Sequence, residues 1–196
     1  MGLFLIDPAM HATPNPSPWL QRWVHLLPAG GRVLDVACGS GRHLRWLAGR
    51  GLRMTGIDRD AAALAASADL VGPFGAELIE ADIENGPWPC AGRLFDAVVV
   101  TNYLWRPLWP QLLASLASGG VLIYETFAAG NQTVGKPSRP DFLLQPGELL
   151  TACAGLHIVA YEDGFLDHPD RFVQRVVAVR PDPAAGAPAR HRLTPP

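Results

Sequence analysis

Several things this chain lacks narrow what it can be. It has three cysteines in 196 residues, Cys38, Cys90 and Cys153, odd in number and far apart. None has a second cysteine or a histidine beside it at zinc-ligand spacing. A disulfide framework and a zinc site are both unexpected, and a reducing, cytoplasmic setting is expected. No apolar stretch approaches the roughly 20 residues that span a bilayer, and Leu3-Phe4-Leu5-Ile6 has neither a basic flank nor a long apolar run. No membrane association is expected. The formal net charge is only -2, with no lysine or arginine run outside the extreme C-terminus. Nothing therefore attracts a phosphate backbone over long range, and nucleic acid is not the expected partner. There is no internal repeat.

The composition is that of a globular chain. Hydrophobic residues make up 48%, and the 20 glycines and 19 prolines suit a compact protein with several tight loops. The length fits one domain, as a monomer or homodimer. Four prolines up to Pro18 make residues 1–16 an arm or lid. Ser17 is placed to cap a helix with Pro18 at its first position, and an apolar stripe from Trp19 to Leu27 follows. Strand and helix then alternate. Strands are expected at 32–37, 52–57 and 76–83. Two more are expected at 95–101, a β-branched run suited to a strand covered on both faces, and at 121–125. Helices are expected after the Cys38-Gly39-Ser40-Gly41 turn, over 60–71 and over 108–117, the last ending at Gly119-Gly120. Residues 127–146, rich in Gly, Pro, Asn and Ser, predict a long functional loop. A short helix over 147–154 precedes two strands, 157–161 and 172–179, forming an antiparallel pair. Residues 17–180 make the domain, and 181–196 are expected to be a disordered tail.

The chemistry concentrates in Asp35-Val36-Ala37-Cys38-Gly39-Ser40-Gly41, a turn between a strand and a helix. Glycines there let backbone approach a ligand, and the first N–H groups of the helix offer donors. A dinucleotide fingerprint would need a third glycine where Leu44 stands, so a pyrophosphate site is incomplete. An acid opens the loop instead, at Asp35. It suits a ligand with an ammonium group and no phosphate. A second acid, Asp58, ends the next strand about 17 positions after Gly41, near the roughly 20 expected for an acid that accepts ribose hydroxyls.

Val33 to Gly41, Gly56-Ile57-Asp58, Ala81-Asp82-Ile83 and Phe95-Asp96-Ala97-Val98-Val99 together resemble, in order and spacing, the successive motifs of class I S-adenosylmethionine-dependent methyltransferases. Ala37 stands where that family usually has its first glycine. The resemblance implies a three-layer, Rossmann-like, mostly parallel seven-stranded sheet of order 3-2-1-4-5-7-6 with its last strand antiparallel. It implies S-adenosylmethionine as cofactor, with Asp35, Ala37, Gly39 and Gly41 near its methionine part. It further puts Asp58 on the ribose with Arg59 beside it, Asp82 and Ile83 at the adenine, and Asn102 at the strand end facing cofactor and substrate. Within the class, the chain is similar to small bacterial methyltransferases of the tellurite-resistance type. The activity implied is methyl transfer to a small acceptor of the thiol, chalcogen oxyanion or carboxylate class.

Methyl transfer from a sulfonium mainly needs alignment and exclusion of water. Where a base is needed, the strand-end residues Tyr103 and Glu125 are the candidates. His11 in the arm and Lys136 and Arg139 in the long loop are candidates for recognising an anionic substrate. His43 reads as a packing or surface residue, Cys38 as a small buried filler, and Asp96 as structural. Two rival readings stay open. One is an NAD(P)-dependent oxidoreductase, disfavoured by Leu44 and by the lack of a Tyr-x-x-x-Lys pair. The other is a non-catalytic protein that binds S-adenosylmethionine.

Overall fold

A computed structural model of the chain describes residues 15–187 and 189–195; the expected arm and its His11 lie outside them. Seven strands form one sheet of order β3-β2-β1-β4-β5-β7-β6. Their spans are Arg32–Val36 (β1), Arg53–Asp58 (β2), Glu77–Glu80 (β3), Phe95–Thr101 (β4), Leu116–Phe127 (β5), His157–Asp167 (β6) and Asp170–Val179 (β7). The first five run parallel, whereas β7 is antiparallel to both β5 and β6. This is the topology that the motif resemblance implies.

Helices pack on both faces of the sheet: Pro18–Trp23 (α1), Arg42–Ala48 (α2), Ala61–Ala65 (α3), Val71–Phe74 (α4), Trp109–Ala114 (α5) and Glu148–Ala152 (α6). Alternating side chains of the central strands separate two cores. Val33, Val99, Ile123 and Val177 face Trp19, Trp23, Leu44 and Leu47 on one side. Leu34, Val36, Val98, Val100 and Val176 face Leu112, Leu149 and Trp109 on the other. In α1, Pro18 is at the first position and Ser17 Oγ accepts from Trp19 N and Leu20 N, as the sequence predicts.

Elsewhere the spans shift. The helix expected over 108–117 ends at Ala114, and Gly119-Gly120 lie inside β5 instead of terminating a helix. There the β4–β5 register slips between Phe95 and Ala97. A Cβ on Gly120 would sit 2.8 Å from Ala117 O and 3.0 Å from Phe95 O, so the irregularity needs a residue without one. The pair β6–β7 is longer than predicted because it continues as a hairpin to Asp167↔Asp170, past the Phe127↔Val173 pair that ends the β5–β7 ladder.

The long loop is fastened to the body. Arg106 donates to Asp141 O at 2.7 Å and Leu143 O at 2.9 Å, and grips both oxygens of Glu148. The buried Asn131 spans the loop, donating to Pro137 O and accepting from Phe172 N. After β7 the described residues form no further helix or strand. His25 contacts Arg192 O at 2.9 Å, and the rings of His157 and His191 are 5.2 Å apart. No described helix is long and apolar enough to cross a membrane.

Candidate active site

The parallel strands all end at one edge of the sheet, and the loop leaving β1 turns there into α2. Ala37, Gly39 and Gly41 all have positive φ, at 55°, 54° and 70°. Two of the three are glycine, for which this costs little; Ala37 carries the strain of the left-handed conformation. A Cβ on Gly41 would collide with Ser67, whereas the space beside Gly39 is open. The loop is held from below by Cys38 N→Ile57 O at 2.9 Å and Ser67 Oγ→Ser40 O at 2.7 Å. The resulting crevice is lined by Ala37, Cys38, Gly39, Ser40, Arg42, His43, Thr101 and Asn102.

Two carboxylates flank this loop in different states. Asp58 accepts from Gly39 N at 2.7 Å and from Asp60 N at 2.9 Å, which ties the end of β2 to the loop. Asp35 is 1% exposed, and its Oδ2 has no hydrogen-bond partner. His43 Nδ1 lies 3.5 Å from that atom. His43 Nε2 accepts from Ser17 N at 3.2 Å, so the neutral ring carries its proton on Nδ1, toward Asp35. At 3.5 Å that N–H makes no hydrogen bond, and a buried carboxylate oxygen without one is costly unless a cationic ligand completes it. The α-ammonium of S-adenosylmethionine is such a group, and Asp58 retains lone pairs for ribose hydroxyls. The residues present therefore fit that cofactor.

The remaining predicted residues are distributed unevenly. Asn102 lines the crevice with φ 54°, and its N–H donates to Glu125 O at 2.9 Å. Asp82 is exposed and caps its own turn, accepting from Glu84 N, Asn85 N and Asn85 Nδ2; these bonds hold its carboxyl below the usual range. Ile83 is half-buried against the core and Arg59 is exposed. Tyr103 is outside the crevice lining. Its hydroxyl donates to Glu84 at 3.3 Å, and burial followed by the charge of Glu84 pushes the phenol above its ordinary value. Glu125, also outside the lining, is 1% exposed with both oxygens engaged: Ser17 Oγ donates to one at 2.9 Å and Arg175 to the other at 3.2 Å. Lys136 and Arg139 are exposed on the long loop and do not line the crevice; Arg139 pairs with Asp141 at 2.8 Å. Cys38 is buried, and burial followed by Asp35 and Asp58 pushes its thiol well up, which removes it as a nucleophile. Among the described residues, no cluster of histidine, cysteine or carboxylate side chains could hold a metal.

Sequence reasoning missed how His43 and Ser17 join. Read as a packing or surface residue, His43 is 2% exposed and hydrogen-bonded. The available signal was its spacing: His43 and Leu47 are four apart, so both face the sheet. Ser17 was found as a cap, but nothing local in sequence says that a helix cap will reach residues 26 and 108 positions away.

Comparison with known proteins matches residues 33–119 to the family described as "Methyltransferase domain". A curated relative, the tRNA U34 carboxymethyltransferase of Edwardsiella ictaluri (strain 93-146), is 37% identical over 119 residues. That match covers 55% of this chain and 36% of the relative, so the chain spans about a third of that protein's length. Among solved structures, TehB from Haemophilus influenzae superposes with TM-score 0.64 at 19% identity, covering 78% of this chain and 58% of that one. An S-adenosylmethionine-dependent methyltransferase from Methanosarcina mazei gives TM-score 0.67 at 16% identity, covering 86% and 99%. Residues 33–119 thus match the methyltransferase-domain family, and in fold the chain is similar to S-adenosylmethionine-dependent methyltransferases and to TehB.

Proposed function

We propose that the chain transfers a methyl group from S-adenosylmethionine to a small-molecule acceptor of the thiol, chalcogen oxyanion or carboxylate class. The observation that carries this reading is the buried Oδ2 of Asp35, which accepts no hydrogen bond, on the strand that leads into the Gly39 bend. When bound, the cofactor supplies a methyl already activated on a sulfonium. Asp35 holds the ammonium end, oriented by the Nδ1–H of His43. Asp58, braced by Gly39 N, holds the ribose, while the turn capped by Asp82 presents Ile83 to the adenine with Arg59 beside it. Asn102 and Thr101 floor the acceptor side.

In this reading neither strand-end base candidate moves a proton. Tyr103 keeps its proton because its phenol is raised, and it serves as a donor. Glu125 is spent on Ser17 and Arg175, so it positions α1 over the edge. A soft or already ionised nucleophile needs no base, which favours the small-acceptor class. Lys136 and Arg139 remain candidates for recognising the acceptor's charge from the loop. A tRNA acceptor, which the curated relative's name raises, is disfavoured by the net charge of -2.

Calorimetry with S-adenosylmethionine, followed by an assay for S-adenosylhomocysteine release, tests the proposal. The acceptors are thiols, selenite and tellurite, small carboxylates and unmodified tRNA. Expected are cofactor binding and turnover with a small acceptor, with Asp58→Ala weakening cofactor binding about tenfold, or about 1.4 kcal/mol. Absence of binding would end the methyltransferase reading, and turnover with tRNA alone would end the small-acceptor reading.

A further inference from the structure

Asp35 follows Val33 onto the face of the sheet that α1 and α2 cover, and its rung partners Gly56 and Val99 carry no polar side chain. A Cβ on Gly56 would come within 2.6 Å of Leu44 Cδ1, so α2 lies close on the strands and carries His43, the residue before Leu44, to Asp35. His43 lines the crevice, is 2% exposed, and holds Nδ1 3.5 Å from Asp35 Oδ2, the oxygen that accepts no hydrogen bond. Its other nitrogen, Nε2, accepts from Ser17 N at 3.2 Å. A neutral imidazole has one N–H and one lone-pair nitrogen. With its proton on Nε2, the ring would set that N–H against the N–H of Ser17 and turn a lone pair on the carboxylate. With its proton on Nδ1, both ends are matched. Ser17 is itself fixed: its Oγ accepts from Trp19 N and Leu20 N and donates to Glu125 at 2.9 Å, and the helix it caps buries Trp19, Leu20 and Trp23.

We propose that His43 is a positioning residue for the amino-acid tail of the methyl donor, locked by the Ser17 main-chain N–H in the tautomer that aims a proton at Asp35, so that the seating of α1 and the grip on that tail are coupled. This rests on the methyltransferase reading and adds a link from the donor site to a helix cap outside the crevice lining. The Nδ1–H steadies Asp35 with Oδ2 toward the ammonium, and contacts of this kind shorten in the ligand complex. Coupling between two sites is reciprocal, so the tail steadies the Ser17 cap as the cap steadies the grip.

Two measurements need no variant to fold. Nitrogen-15 spectra of the histidine rings in the unaltered protein read the tautomer, with the proton of His43 expected on Nδ1. The Ser17 amide resonance is then followed during titration with S-adenosylhomocysteine and with 5'-methylthioadenosine, which lacks the amino-acid tail. It should shift with the first and stay in place with the second. Calorimetry with the same two ligands compares His43→Gln and His43→Asn with the parent. Glutamine sets its amide where Nε2 stands, able to accept from Ser17 but not to reach Asp35, whereas asparagine sets its amide where Nδ1 stands and can still donate to Asp35. His43→Gln should lose about tenfold in S-adenosylhomocysteine affinity and His43→Asn no more than about threefold, with 5'-methylthioadenosine unchanged in both. A ring protonated on Nε2, a Ser17 resonance indifferent to the tail, or equal losses for the two ligands would each overturn the positioning role. If the unaltered protein binds neither ligand, the methyltransferase reading fails and takes the tail with it, and the tautomer alone then judges the Ser17 lock.

Discussion

On the β1–β2 side of the crevice, the loop from Ala37 to Gly41 is held largely by main-chain groups: Cys38 N on Ile57 O, Gly41 N on Cys38 O, and Gly39 N on the Asp58 carboxylate. On the β5–β7 side, side chains do the holding. Arg175 grips Glu125 and Glu162, Arg106 grips Glu148 and two loop carbonyls, and Gln174 reaches Gln145 O. Main-chain contacts survive most substitutions, whereas side-chain clasps depend on a few identities. The family match, residues 33–119, covers the first region and Arg106, but stops before Glu125, Gln145, Glu148, Glu162, Gln174 and Arg175. The main-chain-held half therefore falls within the stretch that the family match covers, and most of the side-chain clasps fall outside it.

The largest test of that contrast is Asp35→Ala, which leaves the main-chain frame intact but removes the acid proposed to grip the ammonium. Cofactor affinity should fall about a hundredfold, near 3 kcal/mol, with little change in melting temperature; calorimetry and thermal unfolding read both. Glu125→Gln should do the reverse. With Glu125 2% and Arg175 15% exposed, leaving the guanidinium half-paired should cost about 2–3 kcal/mol in urea unfolding, less than a fully isolated buried pair because Glu162 still holds Arg175. Cofactor affinity should then change only a few-fold. If Glu125→Gln abolished cofactor binding in a folded protein, the division between the halves would be broken.

A smaller effect sharpens it. Burial alone would raise the Glu148 carboxyl, but the bonds from Arg106 and from Gln145 N outweigh burial and leave it below its ordinary value. A carboxyl depressed in the folded state adds stability above its unfolded value. That stability is lost as pH falls from about 4.5 through the folded value. Glu148→Gln should therefore be destabilised near neutral pH by under about 1 kcal/mol, after discounting for solvent around Arg106, and the difference from the parent should shrink below that window. Smallest of all, Arg139→Ala should leave cofactor affinity unchanged, since Arg139 pairs with Asp141 in the open. A turnover loss of a few-fold would keep the loop as a recognition element, while equal loss of affinity and turnover would reject that role.

Strand identities were legible because buried parallel strands write themselves as apolar runs, as in Phe95–Thr101, whereas the sheet order came only through the motif resemblance. Asp35 and Asp58 were legible as candidates because they stand at strand ends beside a glycine turn, and the structure brings both to that turn. The end of α5 was not, since a helix that stops at Ala114 and a strand that begins at Leu116 share one Leu-Ala-Ser run with no glycine or proline before Gly119. Nor were the pairings of Ser17 with Glu125, or the orphaned Nε of Arg171, which depend on strands far apart in sequence coming to one edge.

The reversed course of β7 has a further consequence. Its turn at His168-Pro169 lies beyond the last rung that β7 shares with β5, Phe127↔Val173. Residues inserted or deleted there displace none of the rungs that join β7 to β5. The length of that hairpin tip can therefore change while the glycine turn between β1 and α2 keeps its geometry.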